Sequence, residues 1–134
     1  MCDRGVLWKC NSEDAFSALH EKGTFLQAIR AHAGWPVDEY AALIVFTELV
    51  GNVARHSPGP VRITVLCDRE RITIRVEDRC ASFPLAPQLP CNSLSETGRG
   101  LFLVSRYATD LRIENATHGG KAVVATLRPK MALV

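Results

Sequence analysis

Glu48 and Asn52 form the first pair of residues in this sequence whose types and spacing could do chemistry. They lie four residues apart in a segment where Ala41, Ile44 and Val45 recur at helical spacing. Both side chains should therefore project from that face and could converge on one ligand. Burying a carboxylate is costly, so Glu48 needs a partner, a metal-bound water or an open cavity. Alternatively, the apolar face rotates along the helix and leaves Glu48 at a polar edge.

Asp78 is a second polar residue in an apolar register. Ile72, Ile74 and Val76 alternate with polar residues and define one face of a predicted strand, and Asp78 is next in that register. Either the strand places this carboxylate on the buried face, or the strand has already ended and Asp78 begins a turn, as aspartate commonly does.

A third candidate is a glycine segment ahead of an apolar helix, Gly98-Arg99-Gly100 followed by Leu101. Glycines allow the backbone to approach a phosphate closely, and a helix N-terminus presents unsatisfied N–H groups to an anion. The alternative for this segment, taken by itself, is an ordinary turn.

Periodicity and helix-ending residues predict the elements that position these candidates. In chain order they are a strand over 5–10, one helix from about Ser12 to Gly34 that is weakest at Gly23-Thr24, a second helix from about 35 to His56, a hairpin of strands over 61–66 and 71–76, a helix over 101–108, and strands over 111–114 and 122–127.

These elements predict a single α+β domain over residues 1–134. Hairpins dominate and no βαβ unit repeats, so we expect a two-layer sandwich with helices packed on one face of a mixed, mostly antiparallel sheet. The segment 81–97 contains three prolines and shows no periodicity. A surface loop of that length is often a lid or a binding segment.

Composition and charge exclude several classes of protein. The net charge is +2 and the basic residues are scattered, which argues against a nucleic-acid-binding surface. The longest apolar stretch, 40–46, is far shorter than the ~20 residues that a membrane span needs, and no apolar leader follows Met1. We therefore expect a cytoplasmic protein with no membrane partner.

The cysteines do not predict a metal site or a disulfide framework. There are five of them, with no Cys-x-x-Cys pair, at positions 2, 10, 67, 80 and 91. In a reducing compartment we expect each except Cys80 to behave as a small buried apolar residue. For Cys80 inert packing and a redox-sensitive thiol are both open.

Taken together, the three candidates resemble the ATP-binding domain of the GHKL superfamily, which includes gyrases, heat-shock chaperones, histidine kinases and MutL-type repair proteins. The segment from Glu48 to His56 is similar to the N box, Asp78 stands where the first glycine box begins, and Gly98 to Leu101 looks like the second glycine box. Gly119-Gly120 is similar to the final glycine motif. The resemblance covers nearly the whole chain and implies the Bergerat fold.

Within the superfamily, the compact size and the pattern Asp78, Ser82, Phe83 look most like the anti-sigma-factor serine kinases. The resemblance implies ATP and Mg²⁺ as cofactors, with a sigma factor and an anti-sigma-factor antagonist as protein partners. It also implies dimerisation through the first strand, which as an edge strand offers a route for pairing.

The resemblance also assigns roles to the site residues. Glu48 would be the general base toward a substrate serine, Asn52 would ligate Mg²⁺, and Asp78 would accept a hydrogen bond from the adenine amino group. Gly98 and Gly100 would let the backbone approach the phosphates beneath a lid formed by 81–97. Further contacts to phosphate or ribose would come from Arg55, His56, Arg99 and Leu101.

The sequence departs from the family pattern after Asp78. The first glycine box would read Asp-x-Gly-x-Gly, but Cys80 and Ser82 occupy the two glycine positions. A Cβ at Cys80 would weaken nucleotide binding if that position requires positive φ or close approach to adenine. An alternative function is therefore a catalytically weak module that regulates by sequestering a partner. A detached histidine-kinase catalytic domain is a third reading, but the residues before the second helix leave no room for a phosphoacceptor hairpin, and His20 and His32 lie at helical core spacing.

Overall fold

The computed structural model describes residues 5–32, 37–56, 59–68, 71–78, 98–115 and 120–127. The predicted lid, 81–97, the two departing positions Cys80 and Ser82, and the predicted helix end at Gly34 lie outside these ranges. The described elements are β1 (Gly5–Ser12), α1 (Ala15–Leu19), α2 (Lys22–His32), α3 (Glu39–His56), β2 (Val61–Cys67), β3 (Ile72–Asp78), α4 (Gly98–Tyr107), β4 (Asp110–Asn115) and β5 (Lys121–Leu127).

The five strands form one sheet in the order β1-β2-β3-β5-β4. All four pairings between the described strands are antiparallel. The predicted hairpin is confirmed, with Cys67 opposite Ile72 at the turn and Val61 opposite Asp78 at the far end. The predicted α+β sandwich is also confirmed, with an antiparallel rather than a mixed set of pairings among the strands that the structure describes.

The hydrophobic core lies between the helices and one face of this sheet. An aromatic cluster joins three elements there: the rings of Phe25 in α2 and Phe46 in α3 stack with centroids 4.5 Å apart. Trp8 of β1 meets both rings edge-on, at 5.7 and 6.0 Å. Offset and edge-to-face contacts of this kind add about 0.5–1.5 kcal/mol each beyond area burial. The cluster therefore fixes α2 and α3 against the first strand.

The prediction of one helix from about Ser12 is wrong, because the chain forms two helices there. Ser12 ends β1, and Asp14 is the N-cap of α1, its carboxylate accepting from the backbone N–H of Ser17 at 3.0 Å. The helix ends with a 3₁₀-type hydrogen bond, in which the His20 N–H donates to the Ser17 carbonyl three residues earlier. The break thus falls at His20 and Glu21, before the predicted weak point, and α2 starts at Lys22.

Cys67 contradicts the expectation of reduced cysteines, because it is disulfide-bonded. Its partner lies outside the described residues, among which Cys10 is free. No helix in the described part of the chain combines the length and the apolar character needed to cross a membrane.

An ionic network covers the centre of the face of the sheet opposite the described helices. Arg75 on β3 reaches over β5 to Glu114 on β4, with Nη1 and Oε1 2.7 Å apart, and its Nε lies 3.2 Å from Glu77 Oε2. Val124 of β5, the partner of Arg75 in the ladder, is only 2% exposed. The long charged side chains therefore shield the apolar residues of β5 on this face.

The network predicts a pH dependence of stability. The hydrogen bond from Arg75 lowers the pKa of Glu114 from its ordinary value of 4.5. A carboxyl whose pKa is lower in the folded chain stabilises the fold above its unfolded pKa, and that contribution is lost as the pH falls through the folded pKa. Glu114→Gln should thus lower the free energy of unfolding at neutral pH, by less than about 1 kcal/mol because the carboxylate is exposed and screened.

Urea unfolding at neutral pH and at a pH below the folded pKa of Glu114 tests this expectation. The difference between Glu114→Gln and the native chain should vanish in acid. In an Arg75→Met background the same substitution should have a smaller effect at neutral pH. An equal loss with and without Arg75 would contradict the assignment.

Candidate functional site

The helix α3 carries two of the candidate residues and is anchored firmly at its start. The Asp38 carboxylate accepts from the backbone N–H of Ala41 at 3.0 Å and caps the first turn. Arg30 of α2 makes bidentate hydrogen bonds of 2.8–3.0 Å to the Glu39 carboxylate and joins the two helices. The position of the helix along its axis is thus defined at the end opposite the candidate site.

Glu48 and Asn52 lie one turn apart near the C-terminal half of α3. Asn52 is 5% exposed, while Glu48 is half-buried at the edge of the apolar face. The predicted interruption of a buried face by a polar residue is therefore present at Asn52. Glu48 lies between the core and solvent, where a carboxylate can reach a ligand without being fully desolvated.

The side chain of Asn52 has an unsatisfied acceptor. Its Oδ1 atom is buried and has no hydrogen-bond partner among the described residues. Leaving a buried polar atom unpaired costs about 1–3 kcal/mol, and such atoms in native proteins call for an explanation. An amide oxygen is one of the ligands that Mg²⁺ accepts. The orphaned oxygen therefore fits the magnesium-ligating role that the resemblance implies for Asn52.

Asp78 is the last residue of β3 and is 2% exposed. The alternative that the strand ends before Asp78 is therefore wrong, and the carboxylate occupies the helix-facing register of Ile72, Ile74 and Val76. Its Oδ2 lies 3.7 Å from the Nζ of Lys121, the first residue of β5, in a pair whose side chains are 1% and 6% exposed. Asp78 is thus a buried charge with a buried counter-charge.

Lys121 was missed by the sequence analysis, which began the last strand at Ala122. Glu77 pairs with Ala122 across β3 and β5, so the next position brings Asp78 beside Lys121. The only signal in the sequence is a lysine between Gly120 and an apolar run. Asp78 and Lys121 are more than 40 residues apart in sequence. Their pairing can be recognised only once the register of β3 against β5 is known.

A cavity of about 140 Å³ adjoins Asp78 at this end of the sheet. Pockets for small molecules typically measure roughly 300–1,000 Å³, so this volume accommodates only part of a nucleotide. It is lined by residues at the ends of β1, β2 and β3 and by the residue before β2: Asn11, Ser12, Pro60, Val61, Arg62, Glu77 and Asp78.

The glycine segment forms the first turn of α4. That helix begins at Gly98, so Gly98, Arg99, Gly100 and Leu101 are all helical, and the reading of the segment as a separate turn is wrong. The first N–H groups of a helix have no partner within it and can bind an anion. Since α3 packs against α4, this N-terminus belongs to the same layer as Asn52. The side chains of residues 98–101 and of His56 lie outside the described part of the chain.

Arg55 follows Asn52 on α3 and is exposed. Its guanidinium lies along the helix over Gly51, where a Cβ would be 3.3 Å from Nη1. The small residue before Asn52 thus leaves room for the arginine to fold back along the helix.

The arrangement brings Glu48, Asn52 and the Asp78–Lys121 pair to the layer between α3 and the sheet, because α3 packs against both β3 and β5. In the ranges that the structure describes, no group of three or more His, Cys, Asp and Glu residues could hold a metal ion. A magnesium ion here would therefore be held by Asn52 together with phosphate oxygens, which is how Mg²⁺ is commonly bound in phosphoryl-transfer sites.

Comparison with known families agrees with this geometry. Residues 15–127 match the family described as the histidine kinase-like ATPase domain. The match includes α1 to β5 and every candidate residue discussed above. No curated protein gives a significant match to the chain.

Asn52→Leu tests whether the Oδ1 of Asn52 has no structural partner among the described residues. Replacing an unpaired buried amide by an apolar side chain of similar size should leave the nucleotide-free protein as stable as before or raise its free energy of unfolding by up to about 1 kcal/mol. The same variant should lose any stabilisation by ATP that depends on Mg²⁺. Urea unfolding with and without Mg-ATP measures both effects.

Gln27→Leu is the matched control, because Gln27 is an exposed amide on α2 and lies outside the candidate site. It should change stability by no more than about 0.5 kcal/mol and leave the effect of Mg-ATP intact. A loss of more than about 1 kcal/mol in nucleotide-free Asn52→Leu would show that the amide oxygen has a structural partner.

Proposed function

The chain belongs to the histidine kinase-like ATPase domain family, and from this premise we propose that it is an ATP-dependent protein serine kinase that acts as an anti-sigma factor. The proposed substrate is a serine of an antagonist protein, and the proposed regulatory target is a sigma factor in the cytoplasm. Family membership supports ATP binding. The serine kinase activity, the sigma factor and the antagonist go beyond what family membership supports, and they are proposed here.

The observation that carries the proposal is the Oδ1 of Asn52, one turn after Glu48, which has no hydrogen-bond partner within the described ranges. A domain that only sequestered a partner would gain nothing from a buried amide oxygen without a hydrogen bond, because the unpaired atom lowers stability. A half-buried carboxylate beside it has no obvious structural role either. Both features are explained if Asn52 ligates magnesium and Glu48 serves as a base.

Phosphoryl transfer requires mainly positioning and charge neutralisation, which these residues can provide. When bound through Asn52, Mg²⁺ would neutralise charge on the phosphate oxygens. The backbone N–H groups at the start of α4 would hold the phosphates, and Asp78 would accept a hydrogen bond from the adenine amino group. The half-buried position of Glu48 lets its carboxylate reach a substrate hydroxyl at the edge of the site.

In the proposed reaction the Oγ of the substrate serine forms a bond to the γ-phosphorus of ATP. Glu48 accepts the hydroxyl proton, and the bond between the γ-phosphorus and the β–γ bridging oxygen breaks. The bond's electron pair leaves with ADP, and Glu48 later releases the proton to water. The products are ADP and a phosphoserine, with no oxidant or reductant needed.

Dimerisation through β1 is part of the proposal. This strand lies at one edge of the described sheet, and a bulge at Leu7 interrupts its pairing with β2 between Val6 and Trp8. An edge strand of eight residues can pair with a second copy of the chain. Sedimentation equilibrium tests this point, and a monomer at high concentration would oppose it.

The second candidate function is a partner-sequestering module without useful kinase activity. The residues that favour it are Cys80 and Ser82 at the two glycine positions after Asp78. If side chains there block the approach of adenine, affinity for ATP is lost while the partner surface persists. The Cys80→Gly variant distinguishes the two functions, because only a blocked site would gain affinity from it.

Glu48→Gln should separate binding from transfer. Glutamine keeps the size of the side chain and removes its basicity, so calorimetric affinity for Mg-ATP should stay within about twofold of the native value. Transfer of ³²P from ATP to a purified anti-sigma-factor antagonist should fall by about 10²- to 10⁴-fold, the usual contribution of a general base.

Glu13→Gln serves as the control, because Glu13 is an exposed carboxylate outside the site, and it should transfer phosphate normally. Unchanged transfer in Glu48→Gln would reject Glu48 as the base. Absence of ATP binding by the native chain would reject the kinase and favour the sequestering module.

A further inference from the structure

A second cavity, of about 430 Å³, opens on the face of the sheet opposite the described helices. It adjoins the hairpin turn, where β3 begins at Ile72, whereas Asp78 ends the same strand at its other end. The cavity therefore lies on the other face and at the other end of the sheet from Asp78. Its volume falls within the roughly 300–1,000 Å³ of typical small-molecule pockets.

Three neighbouring strands form the floor of this cavity, and the floor is polar. Thr126 of β5 lies opposite Thr73 of β3 on one side and opposite Asp110 of β4 on the other. Thr126 is 7% exposed, and the hydroxyls of Thr73 and Thr126 have no hydrogen-bond partner among the described residues. Each hydroxyl can donate one hydrogen bond and accept two. The floor therefore offers a ligand hydrogen bonds that the described part of the chain does not use.

Two arginines that line the cavity hold their neighbouring carboxylates only loosely. The Nη2 of Arg71 lies 3.6 Å from the Oδ2 of Asp68. The Nε of Arg112 lies 3.8 Å from the Oδ2 of Asp110 and 3.3 Å from the Oε2 of Glu114. A charge-assisted hydrogen bond measures roughly 2.7–2.9 Å. Both guanidinium groups therefore retain N–H donors, and their planar fork fits a carboxylate.

The two aspartates that line the cavity are engaged differently. Asp68 accepts a hydrogen bond from the backbone N–H of Arg71 at 2.9 Å, so its carboxylate belongs to the hairpin turn. Asp110 is exposed, and its ion pair within the described ranges is the 3.8 Å contact with Arg112. The cavity thus offers two guanidinium groups and one carboxylate to a ligand.

This lining favours a small ligand that carries charges of both signs. The described residues around the cavity include none with an aliphatic or aromatic side chain, so an apolar ligand would find no apolar surface there. A bare cation would meet the two arginines, and a bare anion would lie beside the carboxylate of Asp110. A molecule with two carboxylates and one ammonium group complements the three charges one by one.

We propose that this cavity binds a free acidic amino acid such as glutamate. The two carboxylates of the ligand pair with Arg71 and Arg112, and its ammonium group pairs with Asp110. The hydroxyls of Thr73 and Thr126 donate to the remaining carboxylate oxygens. This second site is independent of the proposed nucleotide-binding function, because the two sites share no residue.

NMR titration of the ¹⁵N-labelled native chain tests the inference with a series of matched ligands. L-Glutamate should shift the amide resonances of Thr73 and Thr126 and leave that of Asn52 in place. Because the side chains of Arg71 and Arg112 are more than half exposed, we expect a dissociation constant in roughly the millimolar range. Glutarate lacks the ammonium group and 4-aminobutyrate lacks the α-carboxylate, so each should bind about three- to tenfold more weakly than glutamate.

Asp110→Asn completes a cycle between protein and ligand. Asparagine keeps the size of the side chain and removes its charge, so this variant should bind glutamate and glutarate with equal affinity. Glu13→Gln is the control, because Glu13 is an exposed carboxylate outside the cavity, and it should keep the preference for glutamate. If Asp110→Asn does not fold, the ligand series with the native chain decides the question alone.

Three results would overturn the inference. The first is that glutamate at about 20 mM, above the expected dissociation constant, leaves the amide resonances of Thr73 and Thr126 unchanged. The second is equal affinity of the native chain for glutamate and glutarate, because Asp110 would then contact no ammonium group. The third is sulfate binding as tightly as glutamate, because the two arginines would then attract any anion. None of these results bears on ATP binding, which depends on other residues.

Discussion

The packing of α3 onto the sheet is the constraint on which the rest of the structure depends. Eighteen residues at about 1.5 Å each make this helix span most of the sheet. Its first half buries Val45 and Phe46 in the core, and its second half carries Asn52. Because one rigid helix contributes to both, the position of the Asn52 oxygen depends on the packing of Phe46, six residues earlier, in the aromatic cluster. A shift of the helix against Trp8 and Phe25 would move the site with it.

The same constraint explains why the site lowers the stability of the fold that holds it. Asn52 places in the interior an oxygen that has no partner among the residues described, and Asp78 and Lys121 place two charges there. Each feature costs free energy relative to an apolar residue in the same position. In most of a protein the residue types suit their surroundings. A polar or charged residue in an apolar interior is an exception, and such exceptions tend to mark functional sites. A ligand that pairs the Asn52 oxygen would return part of this cost as stability.

Local patterns predicted those parts of the fold that local forces decide. The helix ending at His56 and the hairpin over 61–76 follow from periodicity within a few residues, and both predictions are confirmed, although the second strand of the hairpin continues to Asp78. The break at His20 and Glu21 was misplaced because the capping of α1 by Asp14 decides it, and helix propensity at Gly23 does not. Lys121 could not be found because its position beside Asp78 depends on the register of β5 against β3. Asn52 was singled out correctly as a buried polar residue, but only the structure shows that its oxygen has no partner in the described part of the chain.

The strand order has a consequence for how the chain must be assembled. β5 follows every other described strand in sequence, yet it lies between β3 and β4. A nascent chain that has already formed the hairpin of β2 and β3 therefore exposes an open sheet edge until β5 leaves the ribosome. Unpaired edges of this kind are where intermediates associate wrongly. Completion of the sheet and arrival of Lys121 beside Asp78 happen in the same step, so this end of the candidate site forms only when the sheet closes.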